Sequence, residues 1–113
     1  MTKQQVLRIQ GAYYIVTGLW PLVSMKSFEA VTGPKVDKWL VQMVGALAAT
    51  IGTSLFAARE RGEAEGALVL LATMSALSFA GIDVVHSTRR RISPIYLGDA
   101  VIELSFVILL LLS

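Results

Sequence analysis

The chain has no cysteine, one histidine, three prolines and few charges: only 16% of its 113 residues are Asp, Glu, Lys or Arg. Soluble domains usually carry about 25%. Without cysteine there is no disulfide framework, no thiolate metal site and no cysteine nucleophile. One histidine is too few for a zinc or haem centre. A phosphate loop, a dinucleotide fingerprint, a metalloprotease helix and a serine nucleophile elbow are also missing. No cofactor is expected on these grounds. Ten Lys and Arg against eight Asp and Glu leave a net charge of +2, too small and scattered for a nucleic-acid partner. Basic residues beside a membrane, drawn to anionic lipid headgroups, account for it more simply.

Apolar residues are abundant, at 55% of the chain. One small domain is the ceiling at this length. A small soluble domain buries proportionally little of its surface, so the expected solvent is lipid. Four apolar blocks cover about 6–25, 37–58, 65–85 and 94–113. A bilayer core of about 30 Å needs roughly 20 helical residues, so each block can span. None alternates as a lipid-facing β-strand would. Unpaired backbone groups are not tolerated in lipid, which leaves helices. The expected fold is all-α: a single transmembrane domain built as an antiparallel, up-down four-helix bundle. Met1 to Arg8 is polar, and no cleaved signal peptide is expected.

The breaks between blocks have readable chemistry. Thr32-Gly33-Pro34 stops a helix, Asp37 is placed to cap the next, and Trp39 suits an interfacial anchor. Phe28 and Val31 suit a short interfacial helix in loop one. Pro21 is expected to kink or end the first helix early. Arg59 to Glu63 reads as a tight charged turn. Loops one and three carry six Lys and Arg and the opposite side four, which favours loops one and three in the cytoplasm.

Helices in lipid pack through small residues. Gly11 and Gly18, Gly45 and Gly52, and the ridge Ala72, Ala76, Ala80 are expected packing faces. At about 100° per residue, Asp83 shares the alanine ridge, with His86 a turn further along. Tyr96, Asp99, Glu103 and Phe106 share a face of the last helix. Trp39, Gln42, Ala46, Ala49 and Thr53 share one of the second. The antiparallel order brings Ser24, Gln42, Asp83, His86 and Asp99 toward the loop-one side. Glu103 lies nine rises of about 1.5 Å beyond Pro94, near the midplane. An ionisable group so deep costs about 2.5 kcal/mol or more to insert and needs a partner or a role. The result is an expected polar pocket in the half nearer loops one and three. Its candidate ligand- or proton-binding residues are Glu103, Asp99, Asp83, His86, Gln42 and Tyr96. The alternative for Asp83 and His86 is a simple place at headgroup level. The spacing of Asp83, His86, Asp99 and Glu103 is not a metal signature, so no metal is expected. Tyr13, Tyr14, Trp20 and Trp39 read as an aromatic belt.

The run Phe28-Glu29-Ala30-Val31-Thr32-Gly33-Pro34-Lys35-Val36-Asp37-Lys38-Trp39-Leu40-Val41, with Val44-Gly45 after it, resembles a segment of small uncharacterised bacterial four-helix membrane proteins. Ile92-Ser93-Pro94-Ile95-Tyr96-Leu97-Gly98-Asp99-Ala100 is similar to the start of their last helix. The plan is also similar to that of DoxX-like membrane proteins. The resemblance covers about a third of the chain and implies a bacterial inner membrane protein with no established activity. It makes Glu29, Lys35, Asp37 and Trp39 of loop one candidate site residues.

The leading expectation is a membrane protein that binds or transports a small amphipathic molecule, a lipid headgroup or a proton. Two other classes stand beside it. One is an assembly subunit whose acids pair with a partner's cations. The other is a lipid-modifying enzyme, similar only in plan to four- and five-helix sterol isomerases. Membrane lipid is an expected partner in every case. So small a bundle leaves most helix faces on lipid, which makes room for a homo-oligomer.

Overall fold

The computed structural model describes residues 2–57, 63–89, 92 and 94–112, with side chains in the fourth helix from residue 66 onward. Five helices follow in order: α1 Lys3–Val23, α2 Met25–Thr32, α3 Lys38–Phe56, α4 Glu63–Thr88 and α5 Ile95–Leu112. The described residues contain no strand.

α1 begins a turn earlier than hydropathy alone suggests, because Thr2 and Gln5 close a capping box. Thr2 Oγ1 accepts from the Gln5 amide at 3.2 Å, and Gln5 Oε1 accepts from the Thr2 amide at 3.0 Å. The helix ends two residues after Pro21. Ser24 then caps α2, its Oγ accepting from the Ser27 amide at 3.3 Å. The short helix expected in loop one is therefore α2. Gly33 stops it at φ 97°, a left-handed conformation natural to glycine. Asp37 does occupy the N-cap position of α3, but its side chain makes no capping bond. Its backbone dihedrals of −92° and 76° depart from the extended cap geometry, and only its carbonyl receives the Leu40 and Val41 amides. α4 runs to Thr88 and absorbs His86. The charged turn at Arg59, Glu60, Arg61 and Gly62 lies outside the described residues, as do Arg90, Arg91 and Ser93 of loop three.

Two helix pairs organise the packing. α1 lies on α3 where Gly11 meets Gly52 and Gly18 meets Gly45. A Cβ added at any of the four would stand 2.4–2.5 Å from the facing glycine's carbonyl oxygen, so the backbones touch. α4 lies beside α5, with Ala72, Ala76 and Ala80 buried. α1 also contacts α4 and α5. Val6, Leu7 and Tyr14 of α1 share a core with Leu55, Ala72, Phe106 and Leu110. α2 is held at the end of α1. There Trp20 meets Phe28 edge-on at 5.4 Å, and its Nε1 donates to Ser27 Oγ at 2.9 Å.

The outward faces are apolar. Val16, Leu47, Leu70, Met74, Val101 and Ile108 are all exposed. α3, residues 66–88 of α4, and α5 are long and apolar enough to cross a membrane, as expected of an integral membrane protein. α1 has 21 residues, but its first turns carry Lys3, Gln4, Gln5, Arg8 and Gln10 and lower its hydropathy.

Candidate functional site

Glycine contacts draw α1 and α3 together, and α4 lies beside α5 with its alanine ridge buried. Between the two pairs, toward α2, a groove of about 690 Å³ remains open. Val44 and Ala48 of α3 form one wall. Ile82 of α4 and Ile95 and Ile102 of α5 form the other. Tyr13 and Tyr14 of α1, Asp83 of α4, and Asp99 and Glu103 of α5 line it as well.

These polar groups are wired together. Tyr14 Oη donates to Glu103 Oε2 at 3.1 Å and accepts from Gln10 Nε2 at 3.0 Å. Gln10 Nε2 also donates to the Ala72 carbonyl at 2.9 Å, which ties α1 to α4. Tyr13 Oη donates to Asp99 Oδ1. The Asp99 carboxyl adjoins that of Asp83. Glu103 and Gln10 are fully buried, and Asp83 is 6% exposed. Among the described residues three buried acceptors have no hydrogen-bond donor: Gln10 Oε1, Asp83 Oδ2 and Glu103 Oε1. Most buried polar atoms in proteins are paired, so three such acceptors in one region are unusual. Phe106 packs on Tyr13 at 5.8 Å, and Phe79 packs on Tyr14 at 5.4 Å, which holds both phenols in place.

Of the residues expected at the site, Glu103, Asp99, Asp83 and Tyr96 line the groove. Gln42 does not. The inward face of α3 is Gly45, Ala48, Gly52 and Leu55, so the helix is rotated away from the face expected to carry Gln42. Gln42 is exposed and borders a second, smaller cleft with Met25, Lys26, Glu29 and Lys38. His86 also lies off the groove. On α4 it is Ser87, four residues past Asp83, that continues the buried face. Ser24 is committed to capping α2.

The loop-one candidates divide. Lys35 lines the groove; its Nζ donates to the Thr32 carbonyl at 3.1 Å and stands 4.9 Å from the Tyr96 ring centroid. Glu29 holds the loop closed instead. Its Oε2 accepts from the Lys35 amide at 3.0 Å, and its Oε1 pairs with Lys38 Nζ at 3.2 Å. The Lys35 amide, and then the Lys38 ammonium, hold the Glu29 carboxyl below the usual carboxylate range. Asp37 and Trp39 are exposed and lie outside the groove.

Gln10, Tyr13 and Tyr14 are central to the site, yet sequence reasoning did not place them there. The sequence assigns the tyrosines to an interfacial belt and gives Gln10 no place in the expected pocket. A signal was present. Tyr14 lies three residues after Gly11 and four before Gly18, on the close-packed face of α1, and Gln10 is one turn back from Tyr14.

Among the described residues no three carboxylate or imidazole groups are arranged to hold a metal ion. Compared with family models, curated proteins and solved structures, the chain matches none.

Proposed function

We propose that α1, α3, α4 and α5 form an antiparallel four-span bundle with α2 along the interface, and that the protein binds a small amphipathic molecule in its groove. The carrying observation is a groove of about 690 Å³ with apolar walls that lead to three carboxyl groups. Small-molecule pockets commonly have volumes of about 300–1,000 Å³, with a few polar groups to orient the ligand. A tail would lie along Val44, Ile82 and Ile102, and a polar head would meet Asp83, Asp99 and Glu103. α1 supports a fourth span by lying along α3 through two glycine contacts seven residues apart. The excess of Lys and Arg in loops one and three supports a cytoplasmic side for the groove's open half. The resemblance of loop one supports a bacterial inner membrane.

Gly98 provides the test. It lines the groove, and a Cβ there meets no atom within 4 Å. Gly98→Trp should fill the groove without forcing any helix apart. Native mass spectrometry of the purified wild type is expected to show a bound small molecule that is lost in Gly98→Trp, with helix content unchanged. Equal occupancy in both proteins would reject the groove as the site. Chemical turnover of the bound molecule would make the groove an active site rather than a binding site.

A further inference from the structure

We propose that the groove selects an amphiphile with a cationic nitrogen head: an ammonium able to donate hydrogen bonds, carried on an apolar tail. This rests on the groove reading above and names the class of ligand.

The first argument is charge. Asp83, Asp99 and Glu103 converge on one region of the groove. Among the described residues no Lys, Arg or His forms an ion pair with any of them. Lys35 is the cation that lines the same groove, and its ammonium is engaged elsewhere. It bonds the Thr32 carbonyl and lies over the Tyr96 and Phe28 rings. Two adjoining carboxyls in a water-poor site hold a shared proton or a cation between them.

The second argument is hydrogen bonding, and it is independent of net charge. Asp83 Oδ2 and Glu103 Oε1 belong to side chains more than nine-tenths buried, both line the groove, and neither atom has a donor. The donors reaching Asp99 and Glu103 are the Tyr13 and Tyr14 hydroxyls. Among the described residues these hydroxyls leave Asp83 Oδ2 and Glu103 Oε1 without a donor. A carboxylate or phosphate head would bring more acceptors and a like charge. An alcohol would bring one donor. A primary ammonium brings three donors and the complementary charge.

Trp20 lines the groove, whereas Trp39 is exposed and outside it, and the chain has no other tryptophan. In a Trp39→Phe background the Trp20 emission therefore reports on the groove. Decylamine, decanol and decanoate, matched in tail length, are titrated at pH 7 into the full chain in a maltoside micelle. Decylamine is expected to saturate at least about tenfold tighter than decanol, the lower end of what charge-assisted hydrogen bonds supply. Glu103→Gln and Asp83→Asn are expected to remove that advantage, so that decylamine and decanol bind within about threefold of each other. Equal binding of decylamine and decanol would overturn the cationic head and keep the groove. Tightest binding by decanoate would overturn it in favour of Lys35 as the headgroup partner. Absence of saturable binding by all three would remove the groove reading itself. Should either variant fail to fold, the wild-type series still decides between these outcomes. Asp99→Asn, at a partly exposed carboxyl, repeats the variant test.

Discussion

Gln10 shows what a single polar side chain does here. Its amide nitrogen holds two acceptors on different helices, the Tyr14 hydroxyl and the Ala72 carbonyl. The Tyr14 hydroxyl in turn donates a hydrogen bond to Glu103. Remove the hydroxyl and Gln10 loses an acceptor while Glu103 Oε2 loses its donor, and both side chains are fully buried. Tyr14→Phe is therefore expected to destabilise the fold by about 1–3 kcal/mol, the cost of leaving buried polar groups unmatched. The readout is a lower melting temperature in detergent. Adding Gln10→Leu should cost less than the sum of the two single changes, because both act on one network. Additive costs would show that the network contributes nothing beyond its separate contacts.

Glycine has two different roles in these helices, and the difference is testable. Gly18 and Gly45 hold α1 and α3 at backbone contact, where a Cβ would sit 2.4 Å from the opposite carbonyl oxygen. Gly18→Ala or Gly45→Ala must push the helices apart, at about 1–3 kcal/mol or more for overpacking. Gly81 lies within α4, and a Cβ there meets no atom within 4 Å. Gly81→Ala is expected to stabilise α4 by about 0.5–1 kcal/mol, because alanine loses less backbone freedom on folding. Thermal melts of the three variants should separate in sign. A normal melt for Gly45→Ala would mean that α1 and α3 are not closely packed.

The molecule measures 42 × 27 × 18 Å. Its long dimension suits a bilayer of about 40–45 Å including headgroups. Most large apolar side chains on the four long helices face outward, which a soluble protein of this size would not sustain. The groove opens toward α2 and loop one, so a ligand would enter from one side of the membrane. The proposed four-span bundle requires that α1 cross the membrane beside the three more apolar helices. Reporters fused before α1 and inserted between Arg59 and Glu63, positions that flank α1 and α3, are expected on the same side of the membrane. Opposite sidedness would mean that α1 does not span, and would leave the three more apolar helices as the membrane domain.

Hydropathy and spacing were enough to predict an all-helical chain, a break at Gly33, a short helix in loop one and the small-residue packing faces. Each depends on local chemistry or on a fixed angular period along one helix. The same period placed Asp83 on the alanine ridge and Asp99, Glu103 and Tyr96 on one face, and these four line the groove. Gln42 and His86 fell outside it, while Tyr13 and Tyr14 came in, with Gln10 bonded behind Tyr14. A helical period orders residues around an axis but leaves the rotation of that axis free. Rotation is decided where two helices touch. Gly45 and Gly52 against Gly18 and Gly11 turn α3 so that Gln42 faces out, and turn α1 so that Tyr14 faces in. The groove follows from the same contacts. Two pairs of helices, one of them drawn tight by glycine contacts, leave between them a space that no single helix encodes.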